Sequence, residues 1–132
     1  MSVPIDGFMH LKRLGEPKSS PDGRSVAFAV TAVDLEKDGY RSCIYLQRDG
    51  DANAEAFTAG PKDASPAWSP DATKLAFLGT RGDDQEPQVY VMAVAGGEAR
   101  RLTTDLKGAD SLVWSPDGAT LTVVAWRDEP EP

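Results

Sequence analysis

The chain alternates short apolar runs with longer polar stretches, and the alternation recurs. Val26-Ala27-Phe28, Leu75-Ala76-Phe77 and Leu121-Thr122-Val123 are apolar runs of strand length. A second set, Cys43-Ile44-Tyr45-Leu46 and Val89-Tyr90-Val91-Met92, follows a polar connection, residues 33–42 in one copy and 80–87 in the other. A Gly-containing turn comes next, Asp49-Gly50 and Gly96-Gly97, and then a short run, Ala56-Phe57-Thr58 and Arg101-Leu102-Thr103. Short runs rich in β-branched and aromatic residues, bounded by turn residues, read as strands. Only the start differs. Ile5, Phe8, Met9 and Leu11 lie near helical spacing, with Asp6 as a first-turn acid. Gly15 can end a helix there and Pro17 blocks its continuation. This spacing predicts a short amphipathic helix from Pro4 to Leu14.

A tetrapeptide fixes the period. Ser20-Pro21-Asp22-Gly23 returns as Ser69-Pro70-Asp71-Ala72 and as Ser115-Pro116-Asp117-Gly118, so the starts lie 49 and 46 residues apart. Tyr45 to Tyr90 and Thr58 to Thr103 are both 45 residues apart, so the spacing holds across the whole unit. Proline at the second place presets φ, Asp at the third tolerates the bridge region, and Gly at the fourth accepts positive φ. Each tetrapeptide therefore closes a hairpin between the first and second strands of a unit. Ala72 breaks the rule. A left-handed Ala costs about 1 kcal/mol against Gly, so Ala72→Gly is expected to stabilise the fold.

Four short strands per unit, at a period in the forties, predict β-propeller blades. The expected fold is all-β: an incomplete β-propeller of two four-stranded blades plus the start of a third, preceded by the short amino-terminal helix. Residues 1–18 hold the helix and lead-in, 19–64 the first blade-like repeat, 65–110 the second, and 111–132 a partial third with its exit segment. The last six residues, Arg127 to Pro132, read as a long loop of a blade that continues elsewhere rather than as a disordered tail. Trp68 and Trp114 stand just before the second and third turns, where the first copy has Ser19. A packing position must repeat in every blade and a single ligand site need not, so the rings are expected between neighbouring sheets.

Charge and chemistry narrow the function. The net charge is −7, which argues against nucleic acid or an anionic membrane as partner. The pair Arg100-Arg101 reads as a solvated strand edge that discourages edge-to-edge pairing. No stretch approaches membrane-spanning length, and the start lacks the build of a signal peptide, so the expected location is cytoplasmic. Cys43 is the one cysteine. Within an apolar strand it reads as a small hydrophobic filler. His10 is the one histidine, and the predicted helix offers it no nucleophile or orienting acid. Asp83, Asp84 and Glu86 cluster but lack the spacing of a calcium loop. There is no Gly-x-Ser-x-Gly elbow, no paired-histidine metal motif, no phosphate-binding Gly-rich loop and no Cys-x-x-Cys. The expectation is no catalytic residue, no cofactor and no metal in this chain.

The residues also carry a resemblance. Leu11-Lys12-Arg13-Leu14, Glu16-Pro17 and the run from Ser20 to Phe28 resemble the start of prolyl oligopeptidase family serine peptidases, most of all the acylaminoacyl-peptidase branch. Tyr40 to Leu46, Trp68 to Leu78, Gln88 to Met92 and Gly96 to Thr103 fit the same pattern. TolB-type propellers share the repeat motif. The resemblance implies a propeller followed by an α/β-hydrolase domain that holds the serine, aspartate and histidine. It implies that the propeller covers the active site and admits short peptides. No position here matches the catalytic motifs, so none is carried over. Ser19 for tryptophan and Ala72 for glycine depart from the pattern. The leading expectation is a non-catalytic gating portion of a serine peptidase, whose partners are the hydrolase domain, the remaining blades and short peptides. The alternatives are a TolB-like or WD-like interaction module, and a short chain that completes a ring as a homo-oligomer.

Overall fold

The computed structural model describes residues 9–34 and 39–125, and among these every regular element is a β-strand. The first sheet contains β1 (Met9–Leu14), β2 (Lys18–Ser19), β3 (Ser25–Asp34), β4 (Gly39–Arg48) and β5 (Glu55–Ala56). The second runs in order β6 (Asp63–Trp68), β7 (Lys74–Gly79), β8 (Gln88–Ala93) and β9 (Arg100–Arg101). The third has β10 (Ala109–Trp114) and β11 (Leu121–Ala125). All pairings between these strands are antiparallel. This is a partial propeller, as the repeat implies.

The expected amino-terminal helix is overturned where the structure describes it. Residues 9–14 form β1, paired with β3 from Met9↔Asp34 to Leu14↔Val30; residues 4–8 of that helix lie outside the described residues, as do 126–132. The cause is tertiary. β3 is ten residues long, and β2 covers only Ala27 and Val26. The remaining edge would be a row of unpaired backbone groups, and β1 satisfies it. A few apolar residues in so short a window fit either period, so the unfilled edge decides. β1 and β2 thus form one interrupted first strand. Within the interruption the Gly15 N–H still donates to the Ala29 carbonyl at 2.7 Å. A Cβ at Gly15 would lie 3.3 Å from that of Ala29.

The first connection is also shorter than expected, because β3 runs to Asp34 and β4 starts at Gly39. In the second sheet the strands end where the sequence placed them, at Gly79 and Gln88. The fourth strands are only two residues long. Beyond each, a threonine extends the attachment. Thr58 Oγ1 accepts from Ile44 N–H at 2.8 Å, and Thr103 Oγ1 accepts from Val89 N–H at 2.9 Å. The 45-residue recurrence of threonine therefore has a hydrogen-bonding reason.

The core lies between sheets. Ala27, Ile44 and Leu46 of the first sheet meet Leu75, Phe77 and Tyr90 of the second. Ala76, Leu78 and Val89, on the other face of the second sheet, meet Leu112 of the third. β7 is thus buried on both faces, which is why Leu75 to Leu78 reads as an unbroken apolar run rather than an alternating one. The tryptophans bind sheet to sheet. Trp68 packs against the first interface and its Nε1–H donates to the Lys18 carbonyl at 2.8 Å. Trp114 packs against the second and donates to the Ala67 carbonyl at 2.9 Å. Lys18 and Ala67 occupy equivalent places, each directly before the tryptophan position of its own sheet.

The three tetrapeptide turns are near copies. The fourth residue N–H (Gly23, Ala72 or Gly118) donates to the serine carbonyl at 2.9 Å in each. The serine hydroxyl donates to the Asp Oδ1 at 2.5–2.7 Å, and it accepts from the N–H five residues on at 3.0 Å. The same Oδ1 accepts the N–H of Arg24, Thr73 or Ala119 at 3.0–3.1 Å. The φ angles of Gly23, Ala72 and Gly118 are 72°, 63° and 73°. Ala72 is left-handed.

Candidate functional site

The first strands of the three sheets come together, since β6 packs against β2, β3 and β4 on one side and β10 on the other. Each is irregular along its length. The first sheet breaks at Gly15–Pro17, the β6 register slips between Ala64 and Ala67, and the β10 register slips between Ala109 and Ser111. Such irregularities unpair backbone groups locally and re-aim side chains. Here they border one open groove of 480 Å³, whose polar side chains are Glu16, Lys18, Thr31, Ser65, Asp110 and Ser111.

Ser65 stands out within this groove. Its φ is 56°, left-handed for a residue with a Cβ. Such backbone costs about 1–3 kcal/mol and persists where surroundings enforce it. Pro66 follows and cannot donate to a ladder, which favours the slip at this place. The Ser65 hydroxyl donates to the Asp110 carbonyl across a long 3.4 Å, joining the second and third sheets. Lys18 and Glu16 pair at 3.4 Å, both well exposed, and so add little stability. Among the described residues, neither histidine nor cysteine lines the groove. Its lining mixes these polar groups with the apolar Leu14, Ala29, Pro66 and Leu112.

At the adjoining end of the second sheet lies a charge network that sequence reasoning missed. The Asp63 side chain is fully buried. Its Oδ2 accepts from Arg81 NH2 at 2.7 Å and from Gly60 N–H at 2.8 Å, and its Oδ1 accepts from Arg81 Nε at 3.3 Å. The Arg81 guanidinium also stacks on Phe77 and Tyr90, 5.3 and 5.1 Å from their centroids. Asp84 accepts from Tyr90 OH and Arg101 NH1, both at 2.7 Å, and from Arg81 N–H at 3.0 Å. Burial works to raise the Asp84 carboxyl, but these hydrogen bonds outweigh it and hold the group below the usual range. Burial, and then the bond to Asp84, push the Tyr90 phenol up. Gly79 makes room, because a Cβ there would come within 2.9 Å of Asp63 Oδ1. Removing one partner of a buried ion pair costs about 3–5 kcal/mol, so this network clamps the sheet end. Asp63 and Arg81 are 18 residues apart in sequence, Asp84 and Arg101 are 17 apart, and no short motif marks them.

The residues singled out in the sequence do not converge. Among the described residues no group of three His, Cys, Asp or Glu side chains has metal-binding geometry. Asp84 is turned inward to its cations while Asp83 and Glu86 are exposed. Cys43 is half-buried on β4. Burial pushes its thiol up and the Asp63 charge adds to this, with Arg41 opposing. That keeps it protonated and a poor nucleophile. His10 lies on β1 opposite Val33 in the pairing with β3. Arg100 and Arg101 form the exposed edge strand β9 as expected, but Arg101 is also tied to Asp84.

Comparison with known proteins fits this architecture. The chain is 35% identical over 130 residues to the uncharacterized peptidase YuxL of Bacillus subtilis, covering 98% of this chain and 20% of that protein. It is 32% identical over 128 residues to dipeptidyl-peptidase 5 of Arthroderma otae, covering 84% of this chain and 18% of that one. The chain therefore spans about a fifth of the length of these curated relatives. Its fold superimposes on acylaminoacyl peptidase of Pyrococcus horikoshii with a TM-score of 0.72 at 22% identity, over 89% of this chain and 18% of the other. A family model described as the TolB beta propeller domain matches residues 11–130, and with its hairpin repeat and stacked sheets the chain belongs to the TolB β-propeller family.

Proposed function

We propose that this chain is a non-catalytic part of the propeller of a cytoplasmic serine peptidase, of the acylaminoacyl-peptidase or oligopeptidase kind, and that it gates peptide access to an α/β-hydrolase domain. The observation that carries this reading is the 35% identity to a named peptidase across 98% of the chain. The geometry supports it. The first strands converge on an open groove lined by both polar and apolar side chains, which suits a wall past which an extended peptide moves. A ring of such sheets admits narrow, extended chains and excludes folded domains by size alone.

The reading predicts that the purified chain does not hydrolyse acylaminoacyl or dipeptidyl p-nitroanilides above buffer. Turnover that co-purifies with the chain and is abolished by a serine-directed inhibitor would overturn it. The gene that encodes the chain is expected to carry a Gly-x-Ser-x-Gly elbow, then aspartate and histidine, in the same reading frame.

A further inference from the structure

An Asp-Gly step is open to spontaneous rearrangement, because glycine leaves its nitrogen uncrowded beside a carboxyl that can close a five-membered ring. The sequence holds five such steps, at Asp6, Asp22, Asp38, Asp49 and Asp117. Asp6 and Asp38 lie outside the described residues. The other three are held differently. At Asp22 and Asp117 both reacting groups are occupied. The Gly23 and Gly118 N–H groups each donate to a serine carbonyl at 2.9 Å. The Asp22 Oδ1 accepts from the Ser20 hydroxyl and the Arg24 N–H, and the Asp117 Oδ1 accepts from the Ser115 hydroxyl and the Ala119 N–H. These bonds hold both carboxyls below the usual range, which leaves less of the protonated form that can give up a hydroxyl. Asp49–Gly50 has neither restraint. Among the described residues, the Asp49 carboxylate and the Gly50 N–H have no hydrogen-bond partner. Both residues are exposed, and no atom lies within 4 Å of the place a Gly50 Cβ would take. The Asp49 N–H, which takes no part in ring closure, is fixed to the Arg24 carbonyl at 2.7 Å.

We propose that Asp49–Gly50 is a site of isoaspartate formation, and that the conversion weakens the joint between the first and second sheets. The Gly50 nitrogen attacks Cγ of Asp49; the N–Cγ bond forms, and the carboxyl hydroxyl leaves with the amide proton as water. A second water then adds to the ring carbonyl that was the Asp49 backbone carbonyl and breaks its bond to the Gly50 nitrogen. The chain now runs through Cβ and Cγ of residue 49, one carbon longer, and the former backbone carbonyl is a free carboxylate. The extra carbon falls inside the turn closed by the Asp51 N–H on the Arg48 carbonyl at 3.0 Å. It also falls next to the residue whose guanidinium spans the two sheets, since Arg48 NH2 donates to the Val94 carbonyl, just after β8, at 2.9 Å.

The test ages the intact chain in neutral buffer made with heavy-oxygen water, then digests it with trypsin in ordinary water. Trypsin places the five Asp-Gly steps in five separate peptides, so each is read on its own by mass spectrometry. Heavy oxygen should enter the peptide of residues 49–62 at least about tenfold faster than those of residues 19–24 and 108–127, because the bonds at Asp22 and Asp117 must break before their rings can close. Part of the labelled 49–62 peptide should elute apart as the β-linked isomer. Asp49→Glu, whose ring would need six members, should abolish the label, and Ser115→Ala, which loosens Asp117, should raise it in 108–127. The isomerised chain, separated from the remainder by chromatography, should melt at a lower temperature than fresh chain. Equal labelling of the three steps, label in 49–62 that survives Asp49→Glu, or no gain in 108–127 from Ser115→Ala overturns the site. An isomerised fraction that melts like fresh chain overturns the weakened joint.

Discussion

Replacing Ala72 by Gly tests the turn that sets the period. Ala72 has φ of 63° and donates its N–H to the Ser69 carbonyl at 2.9 Å, as Gly23 and Gly118 do in their own turns. A Cβ in the left-handed region costs about 1–2 kcal/mol through its contact with the following carbonyl. Glycine removes that cost but gives the unfolded chain more freedom, worth about 0.5–1 kcal/mol against it. The net gain is about 0.5–1 kcal/mol. With about 2.1 cal/mol/K of unfolding entropy per residue and 132 residues, the melting temperature should rise by about 2–4 °C. The mirror experiment is Gly23→Ala. No atom lies within 4 Å of the Cβ this would add, so the change reports backbone strain with no steric clash. It should lower the melting temperature by a similar amount. Thermal melting followed by circular dichroism reads both. A fall for Ala72→Gly, or a rise for Gly23→Ala, would show that left-handed strain does not govern these turns.

Two other expectations follow from the same contacts. Trp114→Phe keeps an aromatic ring but leaves the Ala67 carbonyl without the donor now 2.9 Å away, and should cost about 1 kcal/mol or more in urea unfolding; a change under about 0.5 kcal/mol would mean the ring alone matters. The Thr73 hydroxyl and N–H, with the Ser69 hydroxyl, hold the Asp71 carboxyl down to about 2 from an ordinary 3.8. A depressed carboxyl stabilises the fold above its unfolded value and loses that contribution as pH falls through its folded one. The native chain should therefore keep this contribution to stability down to about pH 4 and lose it toward pH 2, and Asp22 and Asp117, also lowered, should act in the same sense. Thr73→Val removes the largest of these donors and should make the acid loss of stability smaller and complete at a higher pH in melting curves, whereas superimposable profiles would discount the bond.

The legible features are those governed by neighbours in sequence. Ser-Pro-Asp-Gly is turn chemistry wherever it stands, because proline, aspartate and glycine each restrict or permit specific backbone angles. Hence the three hairpins, the strands after them and the stacking of whole units could be read directly. The role of tryptophan between sheets was also readable from its recurrence, though not the indole donation to Lys18 and Ala67. That bond depends on which carbonyl the preceding sheet presents. The groove was not legible at all. Ser65 shows nothing unusual as a letter, and its left-handed backbone appears only where the β6 register slips beside Pro66.

Sequence by itself determined the period, the strands of each repeat and the order of the sheets, since each rests on local backbone preferences repeated at a fixed interval. Tertiary structure alone decided that residues 9–14 are a strand, because the open edge of the long β3 supplies hydrogen-bond partners that helical spacing within the segment cannot reveal. It alone joined Asp63 to Arg81 and brought Glu16, Ser65 and Asp110 to one groove, because those distances depend on how twisted sheets stack rather than on any residue's own preference.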